Sequence, residues 1–243
     1  MKQLYFKITG NIPLTRDVFK MTLEGDTSGI KCGQFVNIKL DGLYLRRPIS
    51  VCDCEDGVLT LVYKVVGRGT EVMSLMKEGT LDVLTELGNG YDLSASGENP
   101  LLIGGGVGVP PLYLAAKKLI AEGKKVSVIL GFNKAEEVFY YDEFKALGAD
   151  VYVTTVDGSQ GIKGFVTNAM ESIDYSYIYT CGPEPMLKAV YSASKTSGQF
   201  SFEERMGCGF GACMGCSCKT VTGYKRICKE GPVLKKEEIL WER

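Results

Sequence analysis

The chain has no histidine and a single tryptophan among its 243 residues. The missing histidine excludes an imidazole general base, a histidine-based triad and any histidine-ligated metal. No uninterrupted apolar stretch is long enough to span a bilayer, and the N-terminal MKQLYFKITGNIPL lacks the apolar core and small-residue cleavage site of a secretory leader. A cytoplasmic protein with no membrane segment is the expectation. An excess of charge is also missing. The 28 basic and 29 acidic residues are well mixed and leave a net charge of −1, so there is no electrostatic footprint for nucleic acid. Internal repeats and low-complexity tracts are absent as well. With these classes removed, chemistry has to come from cofactors.

What the chain does have is cysteine, nine in all. In a cytoplasmic protein structural disulfides are rare, which favours metal ligation for cysteines that cluster. Cys208, Cys213, Cys216 and Cys228 fall in the run EERMGCGFGACMGCSCKTVTGYKRIC, with four, two and eleven residues between successive members. The first three follow plant-ferredoxin spacing, in which a tight loop wraps an iron pair and a later cysteine closes the cage. Gly207, Gly209, Gly211 and Gly215 let this loop turn backbone N–H groups inward toward sulfur. Four thiolates also suit tetrahedral zinc. Zinc ribbons, however, usually present two C-x2-C knuckles, and this chain offers one, Cys213 to Cys216. Spacing therefore favours a 2Fe-2S cluster and keeps a zinc-stabilised, non-catalytic interaction protein as an alternative. Cys218 lies two residues beyond Cys216 and is either a spare ligand or a small packed residue. Cys32, Cys52, Cys54 and Cys181 are scattered and read as buried hydrophobes.

The length allows two modest domains and an appendage. Residues 1–96 read as about six short antiparallel strands with one helical interruption near 70–77 and turns at Asp56-Gly57 and Gly88-Asn89-Gly90, which predicts a small closed barrel. Residues 97–199 change pattern. LLIGG, VSVILG, VYVTTV and SYIYTCG are apolar strands that alternate with helical segments, including PLYLAAKKLIAEG, one at 166–172 and one beginning near Pro185. Such alternation predicts an open parallel sheet with helices on both faces. Residues 200–243 form the cysteine unit, in which YKRICKEGPVLKKEEI reads as a strand and turn returning along the loop. The fold class is thus mixed: an antiparallel β-barrel, then a parallel-sheet α/β domain, then a small hairpin subdomain.

Three constellations suit nucleotide cofactors. The turn through Gly104, Gly105, Gly106 and Gly108, followed by Pro110 and Pro111, joins a strand to a helix, where backbone amides attract an anion. It is not the dinucleotide fingerprint, because Val109 and Pro110 occupy the region of the third glycine. Cys181, Gly182 and Pro183 end another parallel strand, so both loops belong at the carboxyl edge where such sheets bind ligands. In the barrel, Arg47, Pro48, Ile49 and Ser50 form a proline-stiffened strand; Val62, Tyr63 and Lys64 follow, and Gly69 and Thr70 open a helix. An arginine, a glycine amide and a threonine suit a pyrophosphate, and Tyr63 is placed to flank a flavin ring. Each piece taken singly also reads as a solvated charge or a core tyrosine.

Taken together and in this order, RPIS, VYKVVGRGT, GGGVGVPPL, TTVDGSQG, CGPEPML and EERMGCGFGACMGC resemble the electron-transfer subunit family of NAD-dependent (type B) dihydroorotate dehydrogenases. The resemblance covers essentially the whole chain. Its most specific parts are the cysteine loop and the RPIS to GRGT pair; the glycine turn is shared by the wider ferredoxin-reductase superfamily. The resemblance implies an FAD barrel, an NAD domain and a C-terminal 2Fe-2S cluster. The implied partner is an FMN-containing subunit that oxidises dihydroorotate, in a heterotetramer of two of each chain. Family FAD contacts fall on Arg47, Pro48, Ile49, Ser50, Val62, Tyr63, Lys64, Gly69 and Thr70, and cluster ligands on Cys208, Cys213, Cys216 and Cys228. NAD contacts, on the superfamily arrangement, fall on Gly104 to Gly108, on Asp157, Gly158 and Ser159, and on Cys181, Gly182 and Pro183. No catalytic acid or base is implied. A second enzymatic reading is a subunit of a ferredoxin-NADP+ or sulfide-linked reductase, which shares these modules. NADP specificity should bring basic residues beside the 2'-phosphate, and the stretch from Gly131 to Lys134 offers only Lys134.

Overall fold

Alternating apolar residues close the first part of the chain on itself. In this computed structural model, which describes residues 1–241, β1 (Lys2–Pro13), β2 (Val18–Glu24), β3 (Phe35–Ile38), β4 (Arg47–Glu55), β5 (Val58–Lys64) and β6 (Thr80–Leu87) form a closed antiparallel barrel in the order β1-β2-β5-β4-β3-β6. Phe6, Met21, Leu23, Val36, Leu59 and Leu61 are fully buried, every second residue along each strand, as a period of two requires. The predicted helical interruption is α1 (Arg68–Leu75), which begins earlier than expected. The Thr70 hydroxyl sets its start, accepting hydrogen bonds from the Val66 and Gly67 amides at 3.0 and 3.3 Å.

The second unit alternates strand and helix: β7 (Pro100–Gly105), α2 (Tyr113–Ala121), β8 (Ser127–Phe132), α3 (Tyr141–Ala146), β9 (Asp150–Thr155), β10 (Ile162–Lys163), α4 (Val166–Met170), β11 (Tyr177–Cys181), α5 (Glu184–Ala193) and β12 (Gly198–Ser201). Successive residues of the sheet serve opposite faces. Leu102, Val128 and Leu130 pack with Leu114, Ala115 and Leu119 of α2 and Phe144 of α3, in a core continuous with the barrel interior. Leu101, Ile103 and Ile129 pack with Ala169 of α4 and Leu187 and Val190 of α5 on the other side. Both faces are therefore covered, which is why these strands are apolar without alternation.

The cysteine unit adds β13 (Ser217–Thr220), β14 (Gly223–Arg226) and β15 (Val233–Lys235). The first two make a separate antiparallel hairpin, while β15 joins the large sheet, whose order is β10-β9-β8-β7-β11-β12-β15. The strands of residues 97–199 are parallel throughout, as the alternation of strand and helix predicts, and the one antiparallel ladder is the addition from the cysteine unit, where Phe200 pairs with Leu234. No crossover helix precedes β15, so it returns antiparallel and covers the edge that β12 would otherwise expose. Strand β12 crosses residues 199 and 200, so the chain enters the cysteine unit from inside the sheet. Among the described residues no helix is long and apolar enough to cross a membrane.

Candidate cofactor sites

The barrel opens where the sequence places the flavin contacts. The β4–β5 ladder runs from Glu55–Val58 to Val51–Leu61 and stops there. Residues 47–50 are paired only toward β3, and residues 62–64 only toward β2. Backbone polar groups between these two segments are left for a ligand to satisfy. Arg47, Pro48, Ile49 and Ser50 are all half-buried, whereas a finished barrel strand would alternate. The Arg47 guanidinium lies against the start of α1, so close that a Cβ on Gly69 would sit 1.8 Å from its Nε. The first-turn amides of α1 have no carbonyl one turn back to bond, and with Arg47 they make a donor set suited to pyrophosphate. Part of the Arg47 guanidinium is tied back, since its Nη1 donates to the Leu45 carbonyl, and Arg46 is committed elsewhere, gripping both oxygens of Asp82 at 3.0 Å.

Two side chains depart from the sequence reading. Tyr63 does not offer its ring as a flank. It is 2% exposed, its hydroxyl donates to Asn11 Oδ1 at 3.0 Å, and its ring stacks on Phe19 with centroids 6.1 Å apart. Burial pushes its phenol up to about 12, and only its backbone borders the opening. The Thr70 hydroxyl also donates to the Gly67 carbonyl at 3.0 Å, so it is spent on the helix start.

At the carboxyl edge of the large sheet lies a cleft of about 580 Å³, within the usual size of a cofactor pocket. Gly105, Gly106 and Gly108 form one wall, Gly182 and Pro183 another, and Lys64 of the barrel borders it. The cleft straddles β7 and β11, the point where strand order reverses direction. Close approach of the two loops depends on Gly108, since a Cβ there would lie 2.3 Å from the Cys181 carbonyl oxygen. Gly106 takes φ +52° with open space around it. Thr154 also lines the cleft, and its Oγ1 is buried without a hydrogen-bond partner, an atom that a ligand would satisfy.

Several predicted dinucleotide residues stand behind this wall. Gly104 packs on Val109, and Cys181 is buried at 2% exposure, its thiol pushed up to about 12 by burial, with the nearby Glu203 carboxylate adding to it. Asp157, Gly158 and Ser159 are absent from the lining and act as a brace: Asp157 Oδ1 accepts from the Ser159 amide and hydroxyl at 2.9 and 2.6 Å, and the Ser159 hydroxyl accepts from the Ala135 amide at 2.8 Å. Sequence reading missed Thr154, Glu137, Phe165 and Glu203, which do line the cleft together with Asn133 of the expected stretch from Gly131 to Lys134. Thr154 follows the same carboxyl-edge logic as the glycine turn. The others come from loops and were visible only once folded.

The four candidate ligand cysteines meet as two pairs. The Cys213 thiol is near enough to act on Cys208, and the Cys216 thiol on Cys228, and Cys228 is within electrostatic reach of Cys208. Burial raises the Cys208 thiol, but the Cys213 and Phe210 amides, the Cys213 thiol and the Ala212 amide together outweigh it and hold the group down to about 6. The Ala212 and Cys213 amides lie 3.2 and 3.4 Å from Cys208 Sγ, and the Cys228 amide 3.4 Å from Cys216 Sγ. Burial, then the Cys216 thiol, pushes Cys228 up to about 12. Among the described residues no three Cys, Asp or Glu side chains converge as a single tetrahedral ion requires. Two facing thiol pairs with inward N–H groups fit a binuclear cluster with one pair per iron. Cys218 sits on β13 opposite Lys225, buried in the apolar cluster beside the α5 face. Arg226 holds the loop to the hairpin, donating to the Gly211 carbonyl at 2.6 Å and clasping Glu230 through its Nε and Nη2.

An antiparallel barrel with an opened strand pair, a carboxyl-edge cleft and a four-thiol loop define a ferredoxin-reductase-like flavoprotein fused to an iron-sulfur unit. Residues 102–192 match the oxidoreductase NAD-binding domain, and residues 203–240 match the iron-sulfur cluster binding domain of dihydroorotate dehydrogenase B. The dihydroorotate dehydrogenase B (NAD(+)) electron transfer subunit of Bacillus pumilus is 44% identical over 255 aligned positions, covering 98% of each chain. That of Fusobacterium nucleatum is 44% identical over 248, covering 94% of this chain and 95% of its own. The chain belongs to this family of electron transfer subunits. Among solved structures, a chain of the NADH-dependent reduced ferredoxin-NADP oxidoreductase, studied for flavin-based electron bifurcation, matches with TM-score 0.88 at 32% identity, over 98% of this chain and 90% of that one.

Proposed function

We propose that this chain links an FMN-containing, dihydroorotate-oxidising partner to NAD+, in an assembly of two copies of each chain in the cytoplasm. Its sites would be a 2Fe-2S cluster on Cys208, Cys213, Cys216 and Cys228, FAD along residues 47–50, 62–64 and 69–70, and the dinucleotide in the carboxyl-edge cleft. The observation that carries this reading is the order of the sites. The thiol loop abuts barrel strand β3, the opened strand pair lies next to β3, and the cleft begins at Lys64 on that same opening. When bound, the flavin exchanges hydride with the dinucleotide and single electrons with the cluster, so no protein acid or base is required. The protein's part is positional. Arg47 and the α1 amides hold the pyrophosphate, the glycine walls bring the dinucleotide to the barrel opening, and N–H groups on the thiolates set cluster potential.

NAD rather than NADP is supported by charge at the far end of the cleft. Glu137 lines it, held by the Asn133 side chain at 2.9 Å, and Lys134 is already engaged by Glu136 at 3.6 Å. Carboxylates there suit a ribose hydroxyl and repel a 2'-phosphate. The ferredoxin-NADP-linked reading is favoured by the bifurcating-enzyme structure, at lower identity than the dihydroorotate dehydrogenase relatives. Cys213→Ala tests the proposal. The variant is expected to lose cluster absorbance and dihydroorotate-to-NAD+ electron flow in the co-purified complex, while NADH oxidation by a dye through FAD partly survives. Unchanged dihydroorotate-linked activity would refute the relay, and recovery of a ferredoxin-dependent activity without an FMN partner would favour the second reading.

A further inference from the structure

Asn37 is the residue where the barrel touches the thiol loop. Its side-chain Nδ2 donates to the carbonyl of Cys208 at 3.2 Å. Contact is so close that a Cβ on Gly209 would fall 2.4 Å from the same nitrogen, and Gly209 has φ +79° besides. A single carboxamide nitrogen thus fixes the peptide that follows the first candidate ligand. The other end of that carboxamide has nothing to bond. Asn37 is 2% exposed, and its Oδ1 is one of the few buried side-chain polar atoms without a partner among the described residues. Leaving such an acceptor unpaired costs about 1–3 kcal/mol, so folded proteins supply a donor.

The surroundings narrow where that donor comes from. Asn37 stands directly across the β3–β4 ladder from Pro48, which has no N–H to give. On its other side it faces Leu84 of β6, next to a register shift between Phe35 and Asn37. Its neighbours Val36 and Ile38 point into the barrel core, and Phe35 belongs to the apolar cluster shared with the cysteine unit. Asn37 therefore lies between residues 47–50 and the thiol loop. A flavin carries the needed groups, a ring N–H and ribityl hydroxyls.

We propose that Asn37 is a positioning residue joining the two redox sites: Nδ2 anchors the cluster loop and Oδ1 accepts a hydrogen bond from the bound flavin. This rests on the placement of FAD along residues 47–50 given above. Because one rigid amide serves both, the separation and orientation of flavin and cluster are set together.

The test uses the co-purified complex and two variants that separate the two ends. Asn37→Asp keeps an acceptor and loses the amide donor; Asn37→Leu loses both. Asn37→Leu is expected to release FAD on dilution about tenfold more readily, the effect of one lost buried hydrogen bond, and to alter the electron paramagnetic resonance signature of the reduced cluster. Asn37→Asp is expected to alter the cluster signature while retaining FAD like the wild type. A purely structural role would lower the melting temperature of both variants without this split. The inference is overturned if FAD retention and cluster signature are unchanged in Asn37→Leu, or if both variants lose FAD equally. Should either variant fail to assemble, the flavin-loaded wild-type structure decides. A flavin N–H or O–H within about 3.2 Å of Oδ1 supports the inference, and a water or protein donor in its place overturns it. A wild-type protein that binds no flavin at residues 47–50 would instead sink the functional reading on which this rests.

Discussion

Gly108→Ala should damage both fold and dinucleotide site, for a reason readable from three distances. A methyl group at position 108 would lie 2.3 Å from the Cys181 oxygen, 2.5 Å from its carbonyl carbon and 2.6 Å from the Gly182 Cα. Ordinary contact between such atoms is ~3.5 Å, so the loops must part by about 1 Å. All three neighbours are backbone at the end of a central strand, and none can swing aside like a long side chain. Overpacking of this kind costs about 1–3 kcal/mol, which for a protein of this size lowers the melting temperature by about 2–12 °C. The same displacement moves the two walls that bring the dinucleotide to the flavin, and a misplacement near 1 Å costs hydride transfer on the order of 100-fold. Calorimetry gives the first number, and stopped-flow reduction of bound FAD by NADH gives the second. Gly106→Ala is the comparison, because its Cβ meets no atom within 4 Å and its penalty comes from φ +52° alone, about 1–2 kcal/mol. If Gly108→Ala melts like wild type and reduces FAD at the wild-type rate, the argument that this glycine holds the two loops together is wrong.

Gly69→Ala should behave differently although its overlap is larger. The atom it meets, 1.8 Å away, is Nε of the flexible Arg47 side chain. The arginine should swing away at a stability cost under about 1 kcal/mol, and FAD affinity should fall about tenfold as a charged donor leaves the pyrophosphate; a variant that binds FAD normally would remove Arg47 from that role. For pH, the hydrogen bond from Arg226 holds the Glu230 carboxyl down to about 2. A depressed carboxyl pKa stabilises the fold above its unfolded value of ~4.3 and is lost as pH falls from there through about 2. The melting-temperature difference between wild type and Glu230→Gln should therefore shrink between pH 5 and pH 2, and a difference that stays constant would show that the pair does not contribute.

Sequence alone determined everything that depends on local pattern. Period-two alternation gave the barrel, unbroken apolar strands separated by helical segments gave a sheet covered on both faces, and C-x4-C-x2-C spacing gave a loop able to gather thiols. These are consequences of short-range geometry, in which a residue's neighbours in the chain are its neighbours in space. Roles that depend on distant segments were out of reach. Tyr63 and Thr70 read as cofactor contacts, yet Asn11 and the start of α1 claim their hydroxyls. Asp157 and Ser159 lie in the expected loop but brace the peptide at Ala135 instead of facing the cleft. The strand at 233–235 joins the large sheet by pairing with β12, more than thirty residues earlier in the chain, so no local pattern announces it. Asn37 had no signal at all: it is an ordinary polar residue on a short strand, and only the arrival of Gly209 against its amide gives it a place between the two redox sites. A hydroxyl or carboxamide bonds whichever donor or acceptor the fold brings within about 3 Å. That choice is made by tertiary contacts, so the sequence determined which chemistry the chain can hold, and the fold decided which atoms are left free to hold it.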